Sequence, residues 1–310
     1  MSKFFEAVNK LEPQLADPSI APPMQTRRAG APPQAASPVR KPQAPTLPPR
    51  LAALDGIPAV NVSLPANSPL LPFDGSHEAA AERYRIIRTK LLHHPQRPRL
   101  LCISSGGVGD GKSVNAVNLA GVLALKQDAR ILLVDSDLRR STLAGMLGAA
   151  QAPGLAEVLE GAVSWREALC RVAEAPNLYF MPSGQPSASP AELLDSTRWK
   201  ETCDVFREHF HFVVIDSPPI GAVTDYELIQ SACDGVIIIA RQDHTSRKLL
   251  LASIESVPKE KLVGVILNCT TPWILKKTPD DYGASYRYYN TPDEAPPPAG
   301  PQPVRGGTAG

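Results

Sequence analysis

Eight consecutive residues, GGVGDGKS from Gly106 to Ser113, fit the pattern G-x-x-x-x-G-K-[ST]. Gly106, Gly107, Gly109 and Gly111 let such a loop turn its backbone N–H groups inward around an anion. Val114 opens a helical pattern, so a helix N-terminus adds partial positive charge at the same spot. The chemistry this suits is phosphate binding. Val108 and Asp110 complete the loop, Lys112 reaches the β and γ oxygens, and Ser113 ligates Mg²⁺. A glycine-rich turn that matches by chance is the plain alternative.

Two further stretches supply acids. LLVDSDLRRS sets Asp135 and Asp137 two residues apart, and FVVIDSPP places Asp216 after four apolar residues. Both read as strand ends, where ligands of open α/β sheets bind, and a carboxylate there is suited to Mg²⁺. An acid pair at a strand end also serves as a helix cap. One serine and three carboxylates around a phosphate loop together point to a magnesium nucleotide site.

Two other groups of residues raise separate questions. DDYGASYRYYN, residues 280–290, gathers four of the seven tyrosines: Tyr282, Tyr286, Tyr288 and Tyr289. Neither helix nor strand periodicity accounts for them, and taken alone they are not distinguished from an incidental aromatic cluster. ERYRIIR sets Glu82, Arg85 and Arg88 along one side of a helix, a spacing that suits intrahelical ion pairs.

These residues need a scaffold, and the chain supplies one. LLCISS, RILLVDSD, NLYFMPSG, FVVIDSPP, GVIIIAR and LVGVILN are continuous rather than alternating apolar runs. That is the signature of parallel strands covered on both faces. SVNAVNLAGVLALKQ, PAELLDSTRWKETCDVFREHF, TDYELIQSACD and SRKLLLASIESV read as crossover helices, and HEAAAERYRIIRTKLLHH as a helix ahead of the first strand. The expected fold is α/β, a doubly wound and mostly parallel sheet of the P-loop type, over residues 76–275.

Composition isolates that domain. Of 33 prolines, 15 precede residue 76 and 6 follow residue 290. Residues 1–75 are therefore expected as a disordered Pro/Ala-rich segment and 276–310 as a flexible tail. The formal net charge of +1 argues against a surface built throughout for nucleic acid. Five scattered cysteines without a C-x-x-C pair suit a reducing compartment without structural zinc. No apolar run approaches the roughly 18 residues of a membrane span, so a cytoplasmic chain is expected.

The loop, ILLVDSDLRR and VVIDSPP together resemble the bacterial tyrosine kinases (BY-kinases) of capsular and exopolysaccharide synthesis, in their stand-alone cytoplasmic form. The likeness spans about residues 76–290 and includes GLAEVLEG, MPSGQPSASPAELLDS, GVILN and the tyrosine cluster. It implies the fold of the deviant-Walker partitioning ATPases, ATP and Mg²⁺ as ligands, and γ-phosphate transfer to tail tyrosines of a neighbouring subunit. It assigns Lys112 to phosphates, Ser113, Asp137 and Asp216 to metal, and Asp135 to the attacking tyrosine hydroxyl. Asn268 falls where related ATPases read adenine, with a strand-end asparagine as the alternative. Glu82, Arg85 and Arg88 match a pattern that holds family rings together. The implied partners are further copies of the chain in a ring when unphosphorylated, a membrane adaptor in trans that recruits it to the inner membrane face, and other protein-tyrosine substrates.

The match departs from its family in places. Gly107 stands where partitioning ATPases carry a second lysine, which favours the kinases. The kinase loop usually reads P-G-E-G-K, against V-G-D-G-K here, and Ser141 stands where proline is frequent. With the carboxylates intact, neither change is expected to matter. The competing reading is a nucleotide-switched positioning or scaffold ATPase without tyrosine transfer.

Overall fold

A computed structural model of the chain describes Leu54, residues 56–62, Leu70 and residues 78–270. The chain divides into two units, residues 1–268 and 269–310, and all that follows concerns the first. The boundaries expected at residues 76 and 275 lie outside the described residues, as do Tyr282, Tyr286, Tyr288 and Tyr289.

Eight strands form one sheet in the order β1-β4-β5-β3-β6-β2-β7-β8. They are β1 (Ala59–Val60), β2 (Leu100–Ser105), β3 (Ile131–Asp135), β4 (Cys170–Val172), β5 (Leu178–Met181), β6 (Phe212–Asp216), β7 (Gly235–Arg241) and β8 (Leu262–Asn268). All pairings are parallel except β4 with β5. The helices are α1 (Glu78–Leu92), α2 (Lys112–Ala124), α3 (Leu143–Leu147), α4 (Leu155–Glu160), α5 (Pro190–Leu194), α6 (Thr197–His209), α7 (Asp225–Ser231) and α8 (Arg247–Ser256).

The continuous apolar runs of β2, β3, β5, β6 and β7 are buried almost throughout, as strands covered on both faces require, whereas LVGVILN, expected to be covered the same way, forms the edge strand β8 and is only partly buried. Leu100, Leu132, Val134, Val213 and Ile215 join Trp199, Phe206 and Phe210 in one core. Leu101, Ile103, Ile131, Leu133 and Val214 join Leu119, Ala120 and Leu123 of α2 in the other. Each fully buried aliphatic side chain contributes roughly 1.5–3 kcal/mol by leaving water, so the two cores hold the strand ends, and the polar groups on them, in fixed register.

Two further expectations need correction. PAELLDSTRWKETCDVFREHF is two helices, α5 and α6, because Ser196 is extended (φ −69°, ψ 154°) and its hydroxyl bonds the Leu193 carbonyl at 2.6 Å. Part of the segment expected to lack structure is built in. β1 pairs with β4 at the sheet edge, and Leu54 and Leu70 are buried. Among the described residues no helix is long and apolar enough to cross a membrane.

Candidate active site

The loop from Gly106 to Gly111 joins the central strand β2 to α2. Gly109 and Gly111 have φ of +86° and +92°, the left-handed region that favours glycine. At Gly111 a Cβ would also run into the Asn268 amide nitrogen. Ser105 Oγ donates to the Gly107 carbonyl at 2.7 Å, closing the start of the loop. No acidic residue occupies the first turn of α2, which leaves its N-terminal N–H groups to an anion. Val114 is half-buried in that turn.

A second segment braces the loop, and motif reading did not single it out. The buried Asp110 carboxylate accepts from the Gly107 N–H at 3.0 Å and from Thr245 Oγ at 2.6 Å. Arg241 donates to the Gly109 carbonyl at 3.2 Å, and a His244 ring nitrogen lies 3.1 Å from the Val108 carbonyl. The departure from the usual loop sequence is thus matched by the connection between β7 and α8. Asn268, at the end of β8, donates to the Asp110 carbonyl at 2.9 Å, a bracing contact.

Lys112 begins α2 and reaches across the strand ends. Its Nζ lies 3.4 Å from Asp137 Oδ2, 3.6 Å from Asp216 Oδ2 and 3.3 Å from Ser113 Oγ. Burial works against its charge, but Asp216 and then Asp137 outweigh burial and raise its pKa. Asp135 and Asp216 are register partners on β3 and β6. Burial pushes Asp216 up to about 7, with Lys112 opposing, and its Oδ1 has no hydrogen-bond partner.

Asp135 is held differently. Its Oδ2 accepts from Ser141 Oγ at 2.8 Å and from the Leu143 N–H at 3.2 Å, while Oδ1 accepts from the Asp137 N–H at 3.2 Å. Burial raises its pKa and these bonds lower it, leaving it above the ordinary value. Ser141 therefore touches a candidate catalytic group, contrary to the expectation that its replacement of proline is inconsequential. Beside it, Arg139 clasps the buried Asp225 at the start of α7 with two bonds, 2.7 and 3.0 Å.

The donor set fits Mg²⁺. Asp216 Oδ1 is an orphaned buried oxygen, Asp137 and Ser113 add two hard oxygen donors, and the Lys112 ammonium lies among them. No three His, Cys, Asp or Glu side chains among the described residues form a metal cage on their own. Mg²⁺ is ordinarily held by one or two carboxylates, with phosphate and water completing its shell.

The family model described as AAA domain matches residues 99–262, more than half the chain. Tyrosine-protein kinase CpsD of Streptococcus agalactiae is 30% identical over 65% of this chain and 88% of its own length. Tyrosine-protein kinase ptk of Acinetobacter johnsonii is 35% identical over 65% of this chain, but that match spans only 28% of its length. The VpsO kinase domain superposes with a TM-score of 0.56 at 29% identity, covering 63% of this chain and 96% of that one. The chain belongs to the bacterial tyrosine-kinase family.

In this family member the charged side of α1 is engaged within the chain. Glu82 and Arg85 pair at 3.1 Å one turn apart, and Arg88 donates to the Val122 carbonyl of α2 at 3.1 Å. Tyr84, between them, donates to Asn115 Oδ1 at 2.8 Å, and Asn115 Nδ2 returns to the Gly111 carbonyl at 2.9 Å. Helix α1 is thereby tied to the phosphate loop, a link that charge spacing does not reveal.

Proposed function

We propose that the chain is an ATP- and Mg²⁺-dependent autophosphorylating protein-tyrosine kinase that regulates capsular or exopolysaccharide synthesis. The observation that carries this reading is Lys112 lying between Asp137 and Asp216 at the head of a glycine-cradled helix, with Asp216 Oδ1 left unpartnered. Gly106, Gly107, Val108, Gly109, Asp110, Gly111, Lys112, Ser113 and Val114 form the nucleotide site, with Asn268 closing it. Ser113, Asp137 and Asp216 would hold Mg²⁺, which when bound would neutralise charge on the β and γ phosphates.

The remaining work is done by the chain's side chains. Lys112 orients the γ-phosphoryl group and offsets its charge, and the loop N–H groups hold the phosphates that leave with ADP. A tyrosine hydroxyl, ordinarily near pKa 10, needs an acceptor as its oxygen bonds to phosphorus. Asp135 takes that proton as the bond from phosphorus to the β,γ-bridging oxygen breaks. The acceptors are Tyr282, Tyr286, Tyr288 and Tyr289 of a neighbouring copy, whose added charge of about −1.5 to −2 each would drive a ring of copies apart. In the ring Glu82, Arg85 and Arg88 would exchange their contacts within the chain for contacts to that neighbour, and a membrane adaptor supplies recruitment from the cytoplasm. The kinase domain takes in β1 (Ala59–Val60) as well as the strands and helices from α1 to β8, ahead of the acceptor tail.

Phosphopeptide mapping over residues 280–290, in wild type and Lys112→Met at matched protein levels, tests this. Phosphotyrosine present in wild type and absent in the variant is the expected result. Bare tyrosines during active polysaccharide synthesis, with free phosphate released from ATP, would favour the scaffold ATPase.

A further inference from the structure

A pocket of about 280 Å³ opens beside Ser141, between the loop after β3 and the loop after β5. Leu138 and Pro186 give it apolar walls, while Ser141, Gln151 and Ser183 form a polar side. A cavity of about 150 Å³ is enough to hold a benzene molecule, so a phenol side chain fits.

The polar side has a direction. The single Ser141 proton goes to Asp135 Oδ2 at 2.8 Å in preference to Gln151 Oε1 at 3.3 Å. Gln151 Nε2 is occupied by Ser183 Oγ and the Gly184 carbonyl. Among the described residues nothing donates to Ser141 Oγ, so its lone pairs are open to a hydroxyl. Asp135 is itself fully buried and does not line the pocket, so a phenol entering there meets Ser141 one hydrogen bond away from the candidate base.

The rim is cationic. Arg139 and Arg140 both line the pocket, but Arg139 is committed to Asp225 through two bonds. Arg140 is exposed, and its guanidinium has no hydrogen-bond partner among the described residues. An unpaired guanidinium beside a phenol-sized pocket favours a carboxylate near the ring that enters.

We propose that this pocket receives the acceptor tyrosine, with its hydroxyl against Ser141, and that Arg140 selects tyrosines preceded by acidic residues. This rests on the kinase reading and makes it specific about substrate. Of the four tail tyrosines only Tyr282 directly follows acids, Asp280 and Asp281, whereas Tyr286 and Tyr288 flank Arg287. Tyr282 is then the preferred acceptor.

The test is site-resolved phosphopeptide quantification of the full chain incubated with Mg²⁺-ATP and membranes of its source cells. The expected result is that Tyr282 leads in wild type, and that Arg140→Glu cuts the Tyr282-to-Tyr289 ratio about fivefold or more. Arg140→Gln should fall between, with ATP affinity within about twofold of wild type for both. Adding Asp280→Lys and Asp281→Lys to Arg140→Glu should restore the ratio. An unchanged ratio in Arg140→Glu, a charge swap that restores nothing, or equal phosphate on all four wild-type tyrosines overturns the proposal and leaves the kinase standing. Wild type without phosphotyrosine overturns both.

Discussion

Asp135 and Asp216 are register partners on adjacent parallel strands, yet Lys112 pairs with Asp216 while Ser141 bonds Asp135. One rung of the sheet therefore presents two carboxylates in different settings. Asp216 has the Lys112 cation beside one oxygen and no hydrogen-bond partner on the other. Asp135 is enclosed by a hydroxyl and two backbone N–H groups, the arrangement of a group held in one orientation.

Stability without ligand should depend on that difference. Burial lifts Asp216 from 3.8 to about 7. An acid raised in the folded state stabilises the fold while protonated, so its contribution is complete below about pH 4 and lost as pH rises through about 7. Asp135, lifted the same way, adds to the trend. In calorimetry with chelator and no nucleotide, Asp216→Asn will melt a few degrees above wild type near pH 8 and converge with it near pH 4.

Gly111→Ala will weaken ATP binding at least tenfold by titration calorimetry. Alanine at φ +92° costs about 1–2 kcal/mol, and its Cβ meets the Asn268 amide that braces the loop.

Thr245→Val keeps the side-chain shape and removes the donor to the buried Asp110 oxygen. An unsatisfied buried acceptor costs about 1–3 kcal/mol, which urea unfolding will report. ATP affinity will fall as well, because Asp110 also holds the Gly107 N–H.

Arg139→Ala strands the Asp225 carboxylate, which is fully buried. A loss of about 2 kcal/mol is expected in urea unfolding, since removing the partly exposed guanidinium leaves the buried carboxylate uncompensated. Asp225→Asn added to Arg139→Ala will recover part of it.

Much of this was legible in the sequence because it is local. Gly106 to Ser113 carries its own geometry, and the β-branched runs ending in Asp135 and Asp216 are strands whichever neighbours they find. What escaped reading depends on how loops fold rather than on spacing along the chain. Asp110 finds Thr245 across 135 positions, a pairing no spacing rule encodes. Ser141 looked like a neutral replacement for proline because its partner, Asp135, becomes a neighbour only when the loop after β3 folds back. The break between α5 and α6 was hidden by strong helix formers on both sides of Asp195 and Ser196, where a serine hydroxyl satisfies a carbonyl instead of continuing the ladder.

The path from Tyr84 through Asn115 to Gly111, with Arg88 fastened to the Val122 carbonyl of α2, makes α1 and the phosphate loop parts of one mechanical unit. Any molecule that grips α1 more tightly when nucleotide is bound must, by thermodynamic reciprocity, tighten nucleotide by the same factor. Assembly and occupancy would then be two readings of a single equilibrium, and a change made on the outer surface of α1 would be measurable as a change in ATP affinity some thirty residues downstream.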